Sequence, residues 1–290
     1  MARRENLASP QRFDGSRREL LRKMRSIAAG LPLAPVAPLA AHAEPSQNGS
    51  QHSDPAAQPE QGSLTPADDQ LLDEIERASF LFFWEQSNPA TGLIKDRCNV
   101  LVKDNSLSAS IASTGFGLTA ICIADQRGYV SRADARLRVI QALSYLWHKL
   151  PTHRGFYYHF ANINTGERMW DSEVSSVDTA LLLCGVLTCR EHFKDKTISD
   201  LAHAIFDRVD WTWLSEDTSL LPHGWTPEFG FLPYKWDFYS ELMMMYLLGM
   251  GSQSHPLHSE AWFAWKRTVF EYDGLRYIGS FAPLFVHQYS

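Results

Sequence analysis

Residues 168–185 read RMWDSEVSSVDTALLLCG, polar and acidic at the start, apolar at the end. The apolar half continues as a helix to about His192, with Ala, Leu, Cys and Val on every side. A helix without a polar face is buried all round. Two other segments share this character: SASIASTGFGLTAICIADQRGY (108–129) and YSELMMMYLLGMG (239–251). Between and around them lie helices with one charged face: ADDQLLDEIERASFLFFWEQ (67–86), ADARLRVIQALSYLWHKL (133–150), ISDLAHAIFDRV (198–209) and HSEAWFAWKRTVF (258–270). Alternation of fully buried with amphipathic helices is what an all-α, α/α barrel requires, with an inner ring enclosed by an outer one.

The punctuation supports these spans. Thr65 and Pro66 open the first helix, Gly128 closes the second, Ser131 caps the third and Pro151 stops it. The segment GFYYHFANINTGERMW reads as a small hairpin or extended loop. TSLLPHGWTPEFGFLPYKWDF, rich in Pro and Gly, reads as a long loop of the kind that carries function.

The 290 residues are 44% hydrophobic and 21% charged, enough for a sizeable core. Residues 1–43 stand apart. They carry eight Lys/Arg against three Asp/Glu, an apolar stretch punctuated by proline, and Ala-His-Ala at 41–43. That is a signal-peptide pattern, and the paired Arg17–Arg18 suggests the twin-arginine route and an exported, periplasmic or secreted destination. Residues 44–64 have the composition of a disordered linker, leaving 65–290 as the folded domain. The whole chain carries −6, so the remainder after residue 43 carries −11, which does not suit nucleic-acid binding. Cys122, Cys184 and Cys189 fall in apolar helical patterns, so no structural disulfide is expected.

Three acids stand out. Glu173 and Glu241 are expected in the first turns of buried helices, Glu173 after Asp171 or Ser172 as cap and Glu241 after Ser240. Asp178 is expected about two turns in, beyond the terminal dipole, where a carboxylate needs a partner or a role. Inner helices of an α/α barrel run parallel, so acids at their starts would gather at one mouth. Two carboxylates across a cleft are the minimum for glycoside hydrolysis. Aromatic rings crowd the preceding loops, among them Tyr157, Tyr158, Phe160, Trp170, Trp225, Phe229, Tyr234, Trp236 and Tyr239. Such flat amphipathic faces suit sugars. Of these, Phe160, Trp170, Trp225, Tyr234, Trp236 and Tyr239, together with Arg168 and His159, are the candidate substrate contacts. No serine-hydrolase, zinc-protease or phosphate-loop motif is present, and no carboxylate or Cys follows His153 or His159 at metal-ligand spacing.

The segments IASTGFGLTAICIADQRGYVSR, FYYHFANINTGERMWDSEVSSVDTALLLCG, YSELMMMYLLGMGSQSHPL and PLFVHQYS resemble the bacterial glucoamylase-like family. That family includes endo-β-1,2-glucanases of glycoside hydrolase family 144 and a domain of cyclic β-1,2-glucan synthases. The resemblance runs from about Ala67 to the end. It implies an (α/α)6 barrel, an exported setting, no cofactor, an oligo- or polysaccharide substrate and inverting hydrolysis of β-1,2-glucan, with Glu173, Asp178 and Glu241 as the carboxylates. Because the family continues past the HQYS motif, the barrel is expected to lack part of its C-terminal side. A non-catalytic remnant or carbohydrate-binding helical domain is the alternative reading. A purely structural helical array leaves the loop aromatics beside buried acids unexplained.

Overall fold

A computed structural model of the chain describes residues 64–216, 218–281 and 283–288. The expected signal peptide and all but the last residue of the linker lie outside the described residues. The chain divides into two compact units, Met1–Leu72 and Asp73–Ser290. Of the first, residues 64–72 are described. There the Asp68 N–H donates to Thr65 Oγ1 (3.2 Å) and the Thr65 N–H to Asp68 Oδ2 (2.9 Å), a capping box that opens helix α1 (Pro66–Glu85).

The second unit is an all-α fold of the α/α-barrel type. Its longest helices are α2 (Ile111–Arg127), α3 (Arg132–His148), α4 (Ser176–Phe193) and α5 (Lys196–Asp207). Gly128 ends α2 in the left-handed conformation (φ 71°), and Ser131 caps α3 by accepting from the Asp134 N–H. Helix α4 buries eleven residues around its circumference, whereas α5 buries only Ile198, Ala202 and Ile205 along one stripe. The apolar-all-round helices are inner, and the amphipathic ones are outer.

Helices α2 and α4 touch backbone to backbone. A Cβ on Gly185 would lie 2.1 Å from the Gly115 carbonyl oxygen, and a Cβ on Gly115 would lie 2.5 Å from the Leu181 carbonyl oxygen. Further along, the Cys122 and Cys189 sulfurs meet at 3.6 Å. Both contacts advance in the same chain direction, so the two inner helices are parallel. A third, α7 (Leu242–Met250), follows the same rule. Its Met244 sulfur lies 3.9 Å from the Cys184 sulfur, and Trp236, just before it, donates from Nε1 to Ser176 Oγ at the start of α4 (2.9 Å).

Short strands decorate the end where these helices begin. β1 (Ser108–Ser110) pairs with β4 (Phe160–Asn162), and β2 (Thr152–His153) with β3 (Phe156–Tyr157). β5 (Val174–Ser175), β6 (Gly224–Thr226) and β7 (Gly230–Phe231) form a three-stranded sheet. The expected long loop over 218–238 therefore contains two strands, preceded by a short helix α6 (Trp211–Ser215).

One expected helix is corrected. Residues 258–270 are helical only over Ala261–Ala264 (α8); Trp265 is extended (φ −82°, ψ 150°) and Val269–Tyr272 (β8) pairs with Leu275–Ile278 (β9). The turn between them is Asp273-Gly274, both at positive φ (50° and 74°), as the tight hairpin turn demands. With β-branched and aromatic residues on both sides, the Asp-Gly pair outweighs the helical spacing of Trp262 and Trp265.

Candidate functional site

The site is built where β5 runs into α4. Ser175 is the N-cap of α4. Its Oγ–H donates to Asp178 Oδ2 (2.5 Å) while the Asp178 N–H donates to Ser175 Oγ (3.2 Å). Asp178 is thus in the first turn rather than two turns in, because the residues before Ser175 are strand and loop. Glu173 is likewise corrected: it precedes β5 and lies outside the helix. Asp178 is nonetheless buried, and that burial pushes its carboxyl above the usual carboxylate range.

His159 joins the two acids. Its backbone N–H donates to the Glu173 carbonyl (2.9 Å), and its own carbonyl accepts from Ile111 at the start of α2 (3.2 Å). Its ring reaches Glu173 Oε1 through Nδ1 (3.0 Å) and Asp178 Oδ2 through Nε2 (3.6 Å). Burial alone would lower the imidazole pKa, but the hydrogen bond to Glu173 and the Asp178 charge raise it above its ordinary value. Burial, the largest single influence, pushes Glu173 upward, but the hydrogen bond from His159, a backbone hydrogen bond and the His159 and Arg168 charges together hold it below its ordinary range. One donor atom from each of His159, Glu173 and Asp178 lies within 4.8 Å of the other two, a set that could hold a metal ion. The arrangement is also satisfied by protons alone, since each ring nitrogen faces a carboxylate. Sequence spacing gave His159 no acidic neighbour; the fold gives it two.

Glu241 stands at the start of α7, and the parallel run of α4 and α7 puts it at the same end as Ser176. It occupies the N-cap position itself and makes no side-chain capping bond. Ser240 does not cap the helix as expected; its hydroxyl donates to the Phe238 carbonyl (3.2 Å). No hydrogen bond or ion pair links Glu241 to the His159 cluster among the described residues.

The aromatic candidates divide into groups. Phe160 stacks on His159 (centroids 3.9 Å, planes 14° apart), and Trp170 meets Phe160 edge-on at 5.1 Å while remaining 67% exposed. Trp236 stacks on His223 (4.2 Å) beside Ser176, and Tyr234, also near His223, is exposed. Trp225 pairs through its backbone with Val174, next to Glu173, while its ring stacks on His153 at 3.9 Å, and Tyr239 packs against His287. Arg168 makes four hydrogen bonds to the protein: Nε to the Ser172 carbonyl (2.6 Å), Nη2 to the Asp171 carbonyl (2.5 Å), and both Nη atoms to the Glu228 carboxylate (2.7 and 3.0 Å).

Comparison with known proteins fits this geometry. A family model described as "Putative glucoamylase" matches residues 233–290. An exo β-1,2-glucooligosaccharide sophorohydrolase (non-reducing end) of Parabacteroides distasonis is 28% identical over 210 residues, covering 68% of this chain and 28% of that protein. A solved structure named "putative glucoamylase" from Bacteroides caccae superposes with a TM-score of 0.69 at 28% identity, over 77% of this chain and 60% of its own. The chain is thus similar to proteins described as putative glucoamylases, in its last 58 residues by sequence and over most of its length by fold. An endo-β-1,2-glucanase of Chitinophaga pinensis, solved with sophorotriose and glucose, shares the glucoamylase-like fold (TM-score 0.67, 22% identity, 74% of this chain and 56% of that one). The chain therefore spans between 28% and 60% of the length of these relatives.

Three residues of the site are not singled out by the sequence alone. Ser175 orients Asp178, and the Ser-x-x-Asp spacing of a capping box was its visible signal. His223 stacks under Trp236, and burial holds its imidazole pKa below the ordinary value. Glu228, distant in sequence, gave no signal at all.

Proposed function

We propose that this chain hydrolyses β-1,2-linked glucan, with carboxylates at the inner-helix mouth as acid and base. The reading is carried by one observation: the Glu173–His159–Asp178 cluster lies at the end of the barrel where α7 also presents Glu241. The names of the P. distasonis and C. pinensis relatives supply the substrate class. In the inverting reaction one carboxylic acid protonates the leaving oxygen as the glycosidic bond breaks. A second carboxylate takes a proton from water, which attacks the anomeric carbon from the opposite face. Such a pair stands about 6.5–9.5 Å apart to admit the water. Glu173 and Asp178, with donor atoms within 4.8 Å, are too close for that. The cluster therefore supplies one member, and Glu241 across the mouth supplies the other. Within the cluster Asp178 is the carboxyl held above its ordinary range, chiefly by burial, while Glu173 is held below its own.

The test is incubation of the purified chain with linear β-1,2-glucan, following released oligosaccharides and the anomeric configuration of the new reducing end by NMR. Release with inversion is the expected result. A binding-only reading is favoured by the way His159 faces both cluster carboxylates. Saturable heat of binding to β-1,2-glucooligosaccharides, without release, would select it.

We also propose export through the twin-arginine route, supported by Arg17–Arg18 and the Ala-His-Ala segment. Residues 1–43 fused to a reporter should direct it out of the cytoplasm, and R17K/R18K should retain it.

A further inference from the structure

The segment between β4 and β5 holds two consecutive non-glycine residues in the left-handed region, Trp170 (φ 56°) and Asp171 (φ 49°). Such a conformation is costly for a bulky residue and persists only where the surroundings over-determine it. What over-determines it here is Arg168. It donates to the carbonyls of Asp171 and Ser172, the second strained residue and the one after it, and lies over the Tyr158 ring at 5.0 Å. The strained turn then leads directly into Glu173. Ser172 N–H closes the turn onto the Met169 carbonyl (3.1 Å), and Ser172 Oγ contacts the Phe160 backbone at 3.3 Å on both its N–H and carbonyl.

Arg168 is itself held from across the sheet. Glu228 sits in the turn between β6 and β7, fixed by the Phe229 N–H donating to Thr226 Oγ1 (3.1 Å), and receives both Nη atoms in a two-pronged pair. A fork of this kind fixes the guanidinium plane as well as its position. The partnership runs both ways: the hydrogen bond from Arg168 lowers the Glu228 pKa, and that to Glu228 raises the Arg168 pKa. With its Nη atoms anchored, Arg168 presents Nε and Nη2 to the two carbonyls in one fixed plane.

We propose that Glu228 is a positioning residue of the site: acting through Arg168, it holds the Trp170–Asp171 turn and so fixes the Trp170 ring beside Phe160 and the entry of the chain to Glu173. Glu228 would not itself touch the reacting atoms.

The decisive measurement does not need turnover. In protein labelled with 5-fluorotryptophan, the Trp170 line is assigned by its loss in W170F. In E228Q the ¹⁹F line of Trp170 should shift and broaden, while those of Trp84 and Trp147 stay in place. An unchanged Trp170 line in E228Q would overturn the proposal. A second arm rests on the glucan-hydrolase reading. There E228Q should raise KM for a β-1,2-glucooligosaccharide about five- to ten-fold and change kcat less than two-fold. In a W170A background the same substitution should have little further effect on KM, since the two act as one unit. Full additivity of E228Q and W170A would overturn the route through Trp170. Absence of turnover by the wild-type chain would count against the hydrolase reading alone, leaving the ¹⁹F result to decide this one.

Discussion

Asp178 and Glu241 both stand at the start of a buried inner helix, yet the fold treats them oppositely. Asp178 is tied to Ser175 by a capping box, is buried, and lies 3.6 Å from a ring nitrogen of His159. Glu241 holds the N-cap position with no capping bond. The first carboxylate is committed to the architecture as well as to any chemistry, and the second is committed to neither helix nor cluster. Removing one member of a buried, partnered cluster costs much, because it leaves the other groups buried without a partner. A half-exposed acid without them is removed cheaply and signals its use through activity.

This contrast can be broken by substitution. The largest effect is expected from E241Q: kcat on β-1,2-glucan should fall at least about a hundred-fold, as for loss of a general acid or base, with no change in melting temperature. A drop in melting temperature of several degrees would show that Glu241 is structural after all. D178A should do the reverse and destabilise the folded chain by roughly 3 kcal/mol in denaturant titration, since it strips a buried cluster of one partner. S175A isolates the capping share. It should cost about 1 kcal/mol and leave Glu173 and His159 in place. The smallest effect is a pH dependence. The folded His159 pKa is raised, so its contribution to stability is full below its unfolded value and is lost as pH rises through the higher folded one. Asp178, also raised, acts in the same sense from its lower ordinary value upward. The stability advantage of wild type over H159Q should therefore be greater at pH 5.5 than at pH 8.5. An advantage that grows with pH would contradict an imidazolium between two carboxylates.

The helical frame was legible because period and punctuation agreed. Ser131, Gly128 and the unbroken apolarity of the helix after Ser175 gave the ends and the ring assignment. The start of that helix was misplaced by several residues because Asp171 and Ser172 are as good caps as Ser175; pairing of Val174–Ser175 with Gly224–Trp225 settles the choice, and that is a long-range fact. The final hairpin was legible but overlooked: Asp-Gly flanked by VFEY and LRYI is a stronger signal than two tryptophans at helical spacing. His159 as the bridge could not be read at all. Its partners are Glu173 and Asp178 because two short strands fold back onto helix starts, and no local pattern encodes that.

The glycine contact between α2 and α4 carries a consequence for how such a cleft can vary. With main chain against main chain at Gly115 and Gly185, the gap between those two helices has no side chain at that level to trim or enlarge. It acts as a fixed ruler, setting the spacing between the start of α2, which receives His159, and the start of α4, which carries Asp178. On the glucan-hydrolase reading, variation in cleft size therefore falls to the α7 side, where the contacts to α4 run through side chains, Met244 to Cys184 and Trp236 to Ser176.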